Sequence, residues 1–288
     1  MTAPDAAARG GWAERLQRID NRILYAALAI AVAIPVFVRV RPPIPPTIET
    51  LGVYRAVESV PPGRLVMLHS TWDAGTIGEC EGQFHGLIVH LMRKGVPFVV
   101  WTSNPQSPEF YNRVIARAAR RYGRIYGRDW ADFGYKVPAA QLAFGVQSMA
   151  HDFAGYMKSD VNGTPVGALP VMRGVRDATS FDLAISVGYN PTVEFVQFVQ
   201  AVYGTHVAFA IAAINSTMTY TYMDSGQIVG MLVGARGGAE YEMLVGAPGI
   251  GVDIIVAQSF GHVLIILAVV LGNVAFVAAR RRRAEPPS

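Results

Sequence analysis

The sequence predicts an α/β fold, namely a three-layer, Rossmann-like domain with a mainly parallel sheet, flanked by two transmembrane helices. Short apolar runs alternate with amphipathic segments through the middle of the chain, a pattern typical of β-α-β units. An uncharged apolar stretch lies near each end. Of the 288 residues, 51% are apolar and only 16% are charged, and the two end stretches hold much of this apolar excess.

The N-terminal apolar stretch runs from Ile23 to Val38 and contains no charged residue. It is short for a membrane span, which needs roughly 20 residues, and Pro35 lies near its end. A cleaved signal peptide is the alternative. The polar residues that precede the stretch and the RVRPPIPP sequence around its end favour an uncleaved anchor. We therefore place a cytoplasmic tail at 1–22 and transmembrane helix 1 at 23–40.

The C-terminal apolar stretch, from Ile254 to Ala279, is long enough to cross a bilayer. A basic run at 280–283 follows it directly, which argues against the alternative of a buried core helix. These features predict transmembrane helix 2 at 253–279 and a basic cytoplasmic tail at 280–288. The soluble domain then occupies residues 41–252.

Arginines close to the two spans predict the orientation. More of them lie on the terminal sides than on the domain side, which favours cytoplasmic termini and an extracytoplasmic domain on the cytoplasmic (inner) membrane. The terminal set is Arg9, Arg15, Arg18, Arg22, Arg280, Arg281, Arg282 and Arg283, and the domain-side set is Arg39, Arg41, Arg55 and Arg236.

The same terminal arginines account for the net charge of +4. Without them the domain is near neutral or mildly acidic, so the basic pI does not indicate a nucleic-acid partner, and none is predicted. The single cysteine, Cys80, allows no internal disulfide, a composition that fits a reduced cytosol and a bacterial periplasm equally well.

Within the domain, residues 47–60 predict a short helix after a stiff proline-rich spacer. Four strands follow, each a short apolar run that suits a strand buried on both faces. Helices alternate with them, and the stretch 127–167 is predicted to be mostly irregular with one or two helices. The strands are Leu65–His69, Val96–Trp101, Asp182–Val187 and Val207–Ala213, and the helices are Glu79–Arg93, one starting at Ser107, and Pro191–Tyr203.

Parallel α/β sheets bind ligands at the carboxyl ends of their strands, where the strand order reverses. The loops at those ends are 70–78, 102–107, 188–191 and 214–219. In the first loop, Asp73 follows a strand, and Glu79 and Glu81 open the next helix. Three carboxylates around one turn could hold a divalent cation or divide into acid and base roles. The alternative is ordinary helix chemistry, because acidic residues stabilise the first turn of a helix.

The catalytic candidates of an enzymatic function are Ser70, Asp73, Glu79 and Asn104. No organic cofactor is predicted, because the glycines of the first loop match neither G-x-G-x-x-G nor G-x-x-x-x-G-K-[ST]. The sequence also lacks H-E-x-x-H, C-x-x-C and G-x-S-x-G. A divalent cation at the acidic loop is therefore the one cofactor that the sequence leaves open.

An arginine series predicts a basic stripe along one helix face, suited to anionic lipid headgroups or an acidic partner. The alternative is the solvated face of a helix that covers the sheet. Gly123 and Gly127 are expected to end the helix before the series does. The arginines are Arg113, Arg117, Arg120, Arg121, Arg124 and Arg128.

Within residues 220–242, Asp224 or Ser225 can cap a helix whose glycines recur every four residues, so that another helix can approach closely. A broken helix lining a ligand cleft is the alternative. Two polar residues within the second span lie near one face and predict pairing with the first span or with a second copy. We expect a homo-oligomer or a membrane-protein partner on this basis. The helix-packing residues are Gly226, Gly230, Gly234, His262 and Asn273.

Several local motifs together resemble those of a group of uncharacterised prokaryotic membrane proteins that share this anchor-domain-anchor plan. The resemblance covers most of the chain, and it implies no activity and no catalytic residue. The motifs are the loop with Asp73 and Glu79, Gly134-Tyr135-Lys136, Asn162-Gly163-Thr164-Pro165, Ser225-Gly226-Gln227 and Gly237-Gly238-Ala239-Glu240-Tyr241-Glu242.

Two functional hypotheses follow from the sequence. We favour a non-enzymatic protein that displays its domain outside the membrane as a binding, sensing or assembly component of a membrane complex. The alternative is a membrane-tethered hydrolase or metal-dependent enzyme that uses the acidic cluster at the end of the first strand.

Overall fold

The structure, a computed structural model, describes residues 16, 19–38 and 40–284, with side chains as far as Arg280. The chain divides into two compact units, the domain Pro43–Ile254 and a second unit formed from the two ends, Met1–Pro42 and Ile255–Ser288. Most of the predicted N-terminal tail and the end of the basic tail lie outside the described residues. Four of the arginines used to predict the orientation also lie outside them, namely Arg9, Arg15, Arg18 and Arg39.

Six parallel strands form one sheet in the order β3-β2-β1-β4-β5-β6, which confirms the predicted α/β class. The strand order reverses between the first and fourth strands. The strands are β1 (Leu65–Ser70), β2 (Phe98–Thr102), β3 (Trp130–Tyr135), β4 (Phe181–Gly188), β5 (His206–Ile211) and β6 (Met231–Val233).

Helices cover both faces of the sheet and give the domain its three layers. Side chains of β1 point alternately to the two faces: Val66 and Leu68 join one apolar core, and Leu65 and Met67 join the other. The helices are α1 (Asn21–Val38), α2 (Ile48–Ser59), α3 (Ile77–Lys94), α4 (Ser107–Tyr122), α5 (Leu142–His151), α6 (Phe153–Met157), α7 (193–203, with a π-helical turn at Val196–Gln200), α8 (Ser216–Asp224), α9 (Gly234–Leu244) and α10 (Ile250–Ala284).

The first core contains residues of α2, α3, α4 and α9, and the second contains residues of α5, α6 and α7. Glycine ends two of the covering helices, α3 at Gly95 with φ 79° and α4 at Gly123 with φ 64°. These left-handed positions strain other residues. The arginine helix therefore ends before Arg124, as expected, and Arg113, Arg117, Arg120 and Arg121 are exposed along it.

Strand β3 lies within the stretch that was predicted to be mostly irregular. The sequence hides it because Asp132 and Gly134, both of residue types depleted in strands, interrupt its apolar run. In the fold the Asp132 carboxylate is buried and accepts hydrogen bonds from the Tyr111 hydroxyl at 2.9 Å and from the Gly134 amide at 2.8 Å. Burial raises the pKa of Asp132. A local polar network thus permits a strand that the residue pattern does not indicate.

The prediction of a glycine-faced helix that Asp224 or Ser225 caps is wrong. Helix α8 ends at Asp224, β6 starts at Met231 and α9 begins at Gly234, so that Gly226 and Gly230 lie in the loop before β6 and only Gly234 is helical. Gly226 and Gly234 have φ of 72° and 58°, which favours glycine for conformational reasons. At Gly230, a Cβ atom would lie 2.6 Å from the Val53 nitrogen, so this glycine lets helix α2 approach the edge strand.

Close glycine packing does occur, between α3 and the two helices α9 and α10. A Cβ atom at Gly82 would lie 2.6 Å from the Gly251 Cα, and one at Gly238 would lie 2.7 Å from the Gln83 nitrogen. At Gly86 the nearest atom would be a ring carbon of Tyr241, at 2.9 Å. Glycine is therefore required at these positions for two backbones to meet.

Two carboxylates of helix α9 bind the segments at which the chain enters and leaves the domain. The Glu240 carboxylate accepts hydrogen bonds from the Thr47 amide at 2.9 Å and from the Thr50 hydroxyl at 2.8 Å, at the start of α2. The Glu242 carboxylate accepts hydrogen bonds from the amides of Gly249 and Val252, each at 2.9 Å, at the start of α10. Both carboxylates are buried, so these bonds replace hydration that the side chains lose.

Helices α1 and α10 are long and apolar enough to cross a membrane. Only 6% of the best apolar window in α1 and 17% of that in α10 is buried, unlike the core helix of a soluble protein. Two membrane-span candidates therefore flank the α/β domain.

Candidate functional site

The candidate site is a cleft of about 610 Å³ at the carboxyl ends of β1, β2 and β4. It includes the point between β1 and β4 where the strand order reverses, which is where open parallel sheets bind ligands. Three of the four loops inspected from the sequence contribute to it, and the loop 214–219 does not. The polar lining residues are His69, Thr71, Asp73, Ser103, Asn104, Tyr135, Tyr189, Asn190, Thr192 and Glu194.

His69 lies at the floor of the cleft and is completely buried. Its Nε2 lies 3.0 Å from the Ser103 hydroxyl, and its Nδ1 lies 3.1 Å from the Thr192 hydroxyl. The ring stacks on Trp101, with 4.2 Å between the ring centroids. Residues from two segments, the end of β2 and the loop after β4, therefore hold the imidazole in one orientation.

Burial among apolar rings lowers the pKa of His69 to about 3, so the imidazole is neutral at physiological pH. The hydroxyl of Ser186 extends the polar contacts, since it lies 2.6 Å from that of Thr192. A neutral imidazole donates from one nitrogen and accepts at the other, and hydroxyls can do either. The floor of the cleft is therefore a chain of uncharged hydrogen-bonding groups.

Asn104 joins the first two loops of the cleft. Its Nδ2 donates to the Thr71 carbonyl at 3.0 Å and to the Asp73 carboxylate at 3.1 Å. The other Asp73 oxygen accepts from the Gly75 amide at 2.9 Å. Asp73 and Asn104, both candidates from the sequence, are therefore brought together on one rim of the cleft.

The other two carboxylates of the predicted acidic cluster have separate partners. Glu79 accepts a hydrogen bond from the Ala213 amide at 2.7 Å, beyond the end of β5. Glu81 is buried on α3 and forms an ion pair with Arg117 at 3.6 Å. Across the described residues, no group of three or more His, Cys, Asp or Glu side chains is placed to hold a metal ion. The divalent cation stays a prediction without a supporting cluster.

Ser70, the nucleophile candidate of the sequence, is fully buried and does not line the cleft. Alternation along β1 places it on the face of Val66 and Leu68, whereas His69 is on the opposite face. The serine that does line the cleft is Ser103, and its hydroxyl contacts His69.

His69, Ser103 and Thr192 were missed by the sequence analysis. The one available signal was His69 itself, a polar residue that ends the apolar run LVMLH directly before the loop. The partners Ser103 and Thr192 are 34 and 123 residues from His69 in sequence, so no local motif links them.

The lining gives the cleft a defined electrostatic character. Asp73 and Glu194 are carboxylates, His69 is neutral, and no Lys or Arg lines the cleft among the residues that the structure describes. Tyr135 and Tyr189 present partly exposed rings at the opening. An anion would therefore meet repulsion, whereas a cation or a neutral hydroxylated molecule would find acceptors, donors and ring faces.

The two polar residues of the second candidate span are not among the residues that line this cleft. His262 and Asn273 are both exposed on α10, and the contact with α1 is made instead near Gly261, whose added Cβ would lie 3.5 Å from Val32. Their pairing with a partner stays a prediction.

Comparison of the chain with protein-family models, with curated proteins and with solved structures finds no match. The anchor-domain-anchor plan is present as two apolar helices around a parallel α/β domain. Membership of the prokaryotic group that the motifs resemble has no further support from these comparisons.

Proposed function

We propose that the protein is a two-pass membrane protein whose extracytoplasmic domain binds a small polar ligand, cationic or neutral, in the cleft between β1 and β4. The observation that carries this proposal is that His69, Ser103, Asn104 and Thr192 line one cleft at the switch point of the sheet. Concave sites with a few converging polar groups are the usual form of small-molecule sites.

The placement in the cytoplasmic membrane, with both termini in the cytoplasm, belongs to the same proposal. It is supported by the arginines beside the two spans and by the exposure of α1 and α10. A signal sequence near the N-terminus would pass the same test of length and composition as α1. In that case α10 alone would anchor the domain.

Ligand binding is tested by thermal unfolding of the detergent-purified full chain against a panel of neutral polyols and sugars, amines, and anions. We expect at least one neutral or cationic compound to raise the melting temperature by several degrees, because it binds only the folded state. Asp73→Asn and Asn104→Ala should abolish the shift. Gln147→Ala, which lies on a separate groove, is the matched control and should retain it.

An anion that binds in the cleft, or a shift that survives both cleft substitutions, would contradict the proposal. So would a panel-wide absence of binding by compounds that fit a cleft of about 610 Å³.

A second candidate function is hydrolysis, which one observation favours: the Ser103 hydroxyl lies 3.0 Å from His69 Nε2. In acyl transfer the serine oxygen would attack a carbonyl carbon while its proton passes to the imidazole, and the imidazole would then protonate the leaving group as its bond to that carbon breaks. Water would attack the acyl-serine in the same way, releasing the acid and restoring the serine hydroxyl. Two features weigh against this function. Nδ1 contacts the Thr192 hydroxyl where hydrolases place a carboxylate, and the lowered pKa of His69 makes it a poor proton acceptor. Covalent labelling by a fluorophosphonate, lost in Ser103→Ala, would establish hydrolysis, and absence of labelling would exclude this mechanism.

Self-association through the second span is the assembly part of the proposal. His262 and Asn273 are exposed on an apolar helix, and polar groups within a bilayer usually hydrogen-bond to another helix. Mass measurement of the detergent-purified chain should show an oligomer, and His262→Leu with Asn273→Leu should shift it toward monomer. A monomeric wild-type chain without co-purifying proteins would contradict this part.

A further inference from the structure

A second groove lies on the domain where helix α10 begins. It has a volume of about 290 Å³ and is formed by α3, α4 and the first residues of α10. This volume is at the lower end of the range for ligand pockets, roughly 300–1,000 Å³, and therefore suits a small group. The lining residues are Glu81, His85, Val89, Val114, Arg117, Ala118, Arg121, Gly249 and Ile250.

Two arginines give the groove its positive charge. Arg117 and Arg121 are four residues apart on α4, so their side chains lie on the same helix face. Arg117 is 67% exposed and pairs with Glu81 across 3.6 Å, a distance longer than a charge-assisted hydrogen bond. Arg121 contacts the ring of Tyr122, and within the described part of the chain no carboxylate lies within ion-pair distance of it. The guanidinium groups of Arg117 and Arg121 therefore have N–H donors available to bind an anion.

The groove also has an apolar side, made by Val89, Val114 and Ala118. Its remaining wall is the start of the longer apolar helix, because Ile250 is the first residue of the candidate span Ile250–Arg280. A span of roughly 17–25 residues that ends at Arg280 begins between about residues 256 and 264. Along the chain, Ile250 therefore precedes the expected hydrocarbon boundary by about 6 to 14 residues.

We propose that this groove binds the phosphate headgroup of an anionic phospholipid. The two guanidinium groups contact the phosphate, and the valine and alanine side chains contact its glycerol. The location at the start of a span favours a lipid over a free phosphate, because the bilayer surface supplies the headgroup at high local concentration. The inference rests on α10 crossing a membrane and is independent of the ligand cleft between β1 and β4.

The test measures binding of lipid to the detergent-purified full chain by native mass spectrometry and thermal unfolding. Dioleoyl phosphatidylglycerol, dioleoyl phosphatidylcholine and inorganic phosphate are added separately. We expect phosphatidylglycerol to bind at least tenfold more tightly than either of the others. The double substitution Arg117→Gln with Arg121→Gln should weaken this binding at least tenfold.

The matched control is Arg113→Gln with Arg120→Gln, which removes the same charge from exposed positions on the same helix that do not line the groove. It should change phosphatidylglycerol affinity by less than threefold. Equal losses in the two double variants would show a diffuse charge effect and overturn the proposal. Equal binding of phosphatidylcholine would overturn it as well, and equal binding of inorganic phosphate would show a free-anion site instead.

The substitution Glu81→Gln provides a second, independent test of the proposal, because Glu81 competes with a phosphate for Arg117. Its neutralisation should raise phosphatidylglycerol affinity severalfold. An unchanged or lower affinity in a variant with wild-type circular dichroism would contradict the assignment of Arg117 to the headgroup. Ligand binding in the cleft should not change in any of these variants, so the two proposals fail separately.

Discussion

At the scale of single residues, the site depends on a buried histidine that no motif indicates. His69 is held by hydroxyls from the ends of β2 and β4 and by an aromatic ring, and none of these is its sequence neighbour. The sequence did predict Asp73 and Asn104 as candidates, because both follow strands directly. Position relative to a strand end is therefore visible in the sequence, whereas convergence of side chains from distant loops is not.

The buried histidine predicts a dependence of stability on pH. Its pKa is about 3 in the folded chain and near its ordinary value of 6.5 in the unfolded chain, so below pH 6.5 the unfolded chain binds one more proton. The free energy of unfolding is therefore not reduced by His69 above pH 6.5. As pH falls from 6.5 toward 3, it decreases by roughly 1.4 kcal/mol per pH unit. Urea unfolding of the detergent-solubilised chain at pH 7 and pH 5, followed by tryptophan fluorescence, measures this slope.

The control for this prediction is His69→Gln, which keeps a polar side chain but cannot titrate. The variant should be less stable at pH 7, because the hydroxyls of Ser103 and Thr192 lose an ideal partner, and its stability should fall less steeply with acid. Identical slopes for variant and wild type would show that His69 is not the titrating group.

At the scale of elements, glycines decide how closely helices and strands pack. The sequence indicated glycine-mediated packing but assigned it to 226–234, because a spacing of four fits a helix and β6 is too short to show an apolar pattern. The contact that the fold builds is between α3 and the two helices α9 and α10, at Gly82, Gly86 and Gly238. Which of the many glycines meet across a packing interface depends on tertiary placement.

Two glycines on α3 give matched and opposite predictions. Gly82→Ala places a methyl group 2.6 Å from Gly251 and should reduce the free energy of unfolding by about 1–3 kcal/mol. Gly78→Ala, on the same helix, meets nothing within 4 Å and should raise it by up to about 1 kcal/mol. Urea unfolding of both variants tests the contact, and equal effects would contradict it.

The cap on the second span predicts a local effect. In Glu242→Ala the amides of Gly249 and Val252 and the ring of His85 lose their acceptor, which should cost about 2–4 kcal/mol. Hydrogen exchange at residues 249–254 should accelerate. Glu109→Ala, an exposed acidic residue in the first turn of α4, should change stability by less than about 1 kcal/mol. Unchanged exchange in Glu242→Ala would argue against the cap.

At the scale of the whole molecule, the sequence predicted the class, the parallel sheet, the three layers and both apolar helices. These follow from apolar periodicity and segment length, which are local properties. It missed β3 and β6, and with them the full strand order, because one strand carries Asp132 and Gly134 and the other has three residues. Edge strands are hard to predict from apolar patterns, because they need fewer apolar residues than the buried strands at the centre of the sheet.

The predicted orientation can be measured with single cysteines. Cys80 is buried, which raises its pKa to about 12, so the wild-type chain should resist maleimide. In intact bacterial cells, a membrane-impermeant maleimide should label Ser59→Cys on the domain. A cysteine added after Ser288 should be labelled only after permeabilisation. The reverse pattern would place the domain in the cytoplasm.

Under the proposed membrane placement, the two carboxylates of α9 have a consequence for how the chain enters a bilayer. Glu240 and Glu242 hold the first residues of α2 and of α10, so the folded domain keeps its two chain exits a short, fixed distance apart. Tethering of this kind makes the second of two association steps intramolecular, with an effective concentration typically about millimolar. Insertion of one span therefore favours insertion of the other only while the domain is folded. Unfolding would replace this short connection with a flexible loop of about two hundred residues and weaken the coupling.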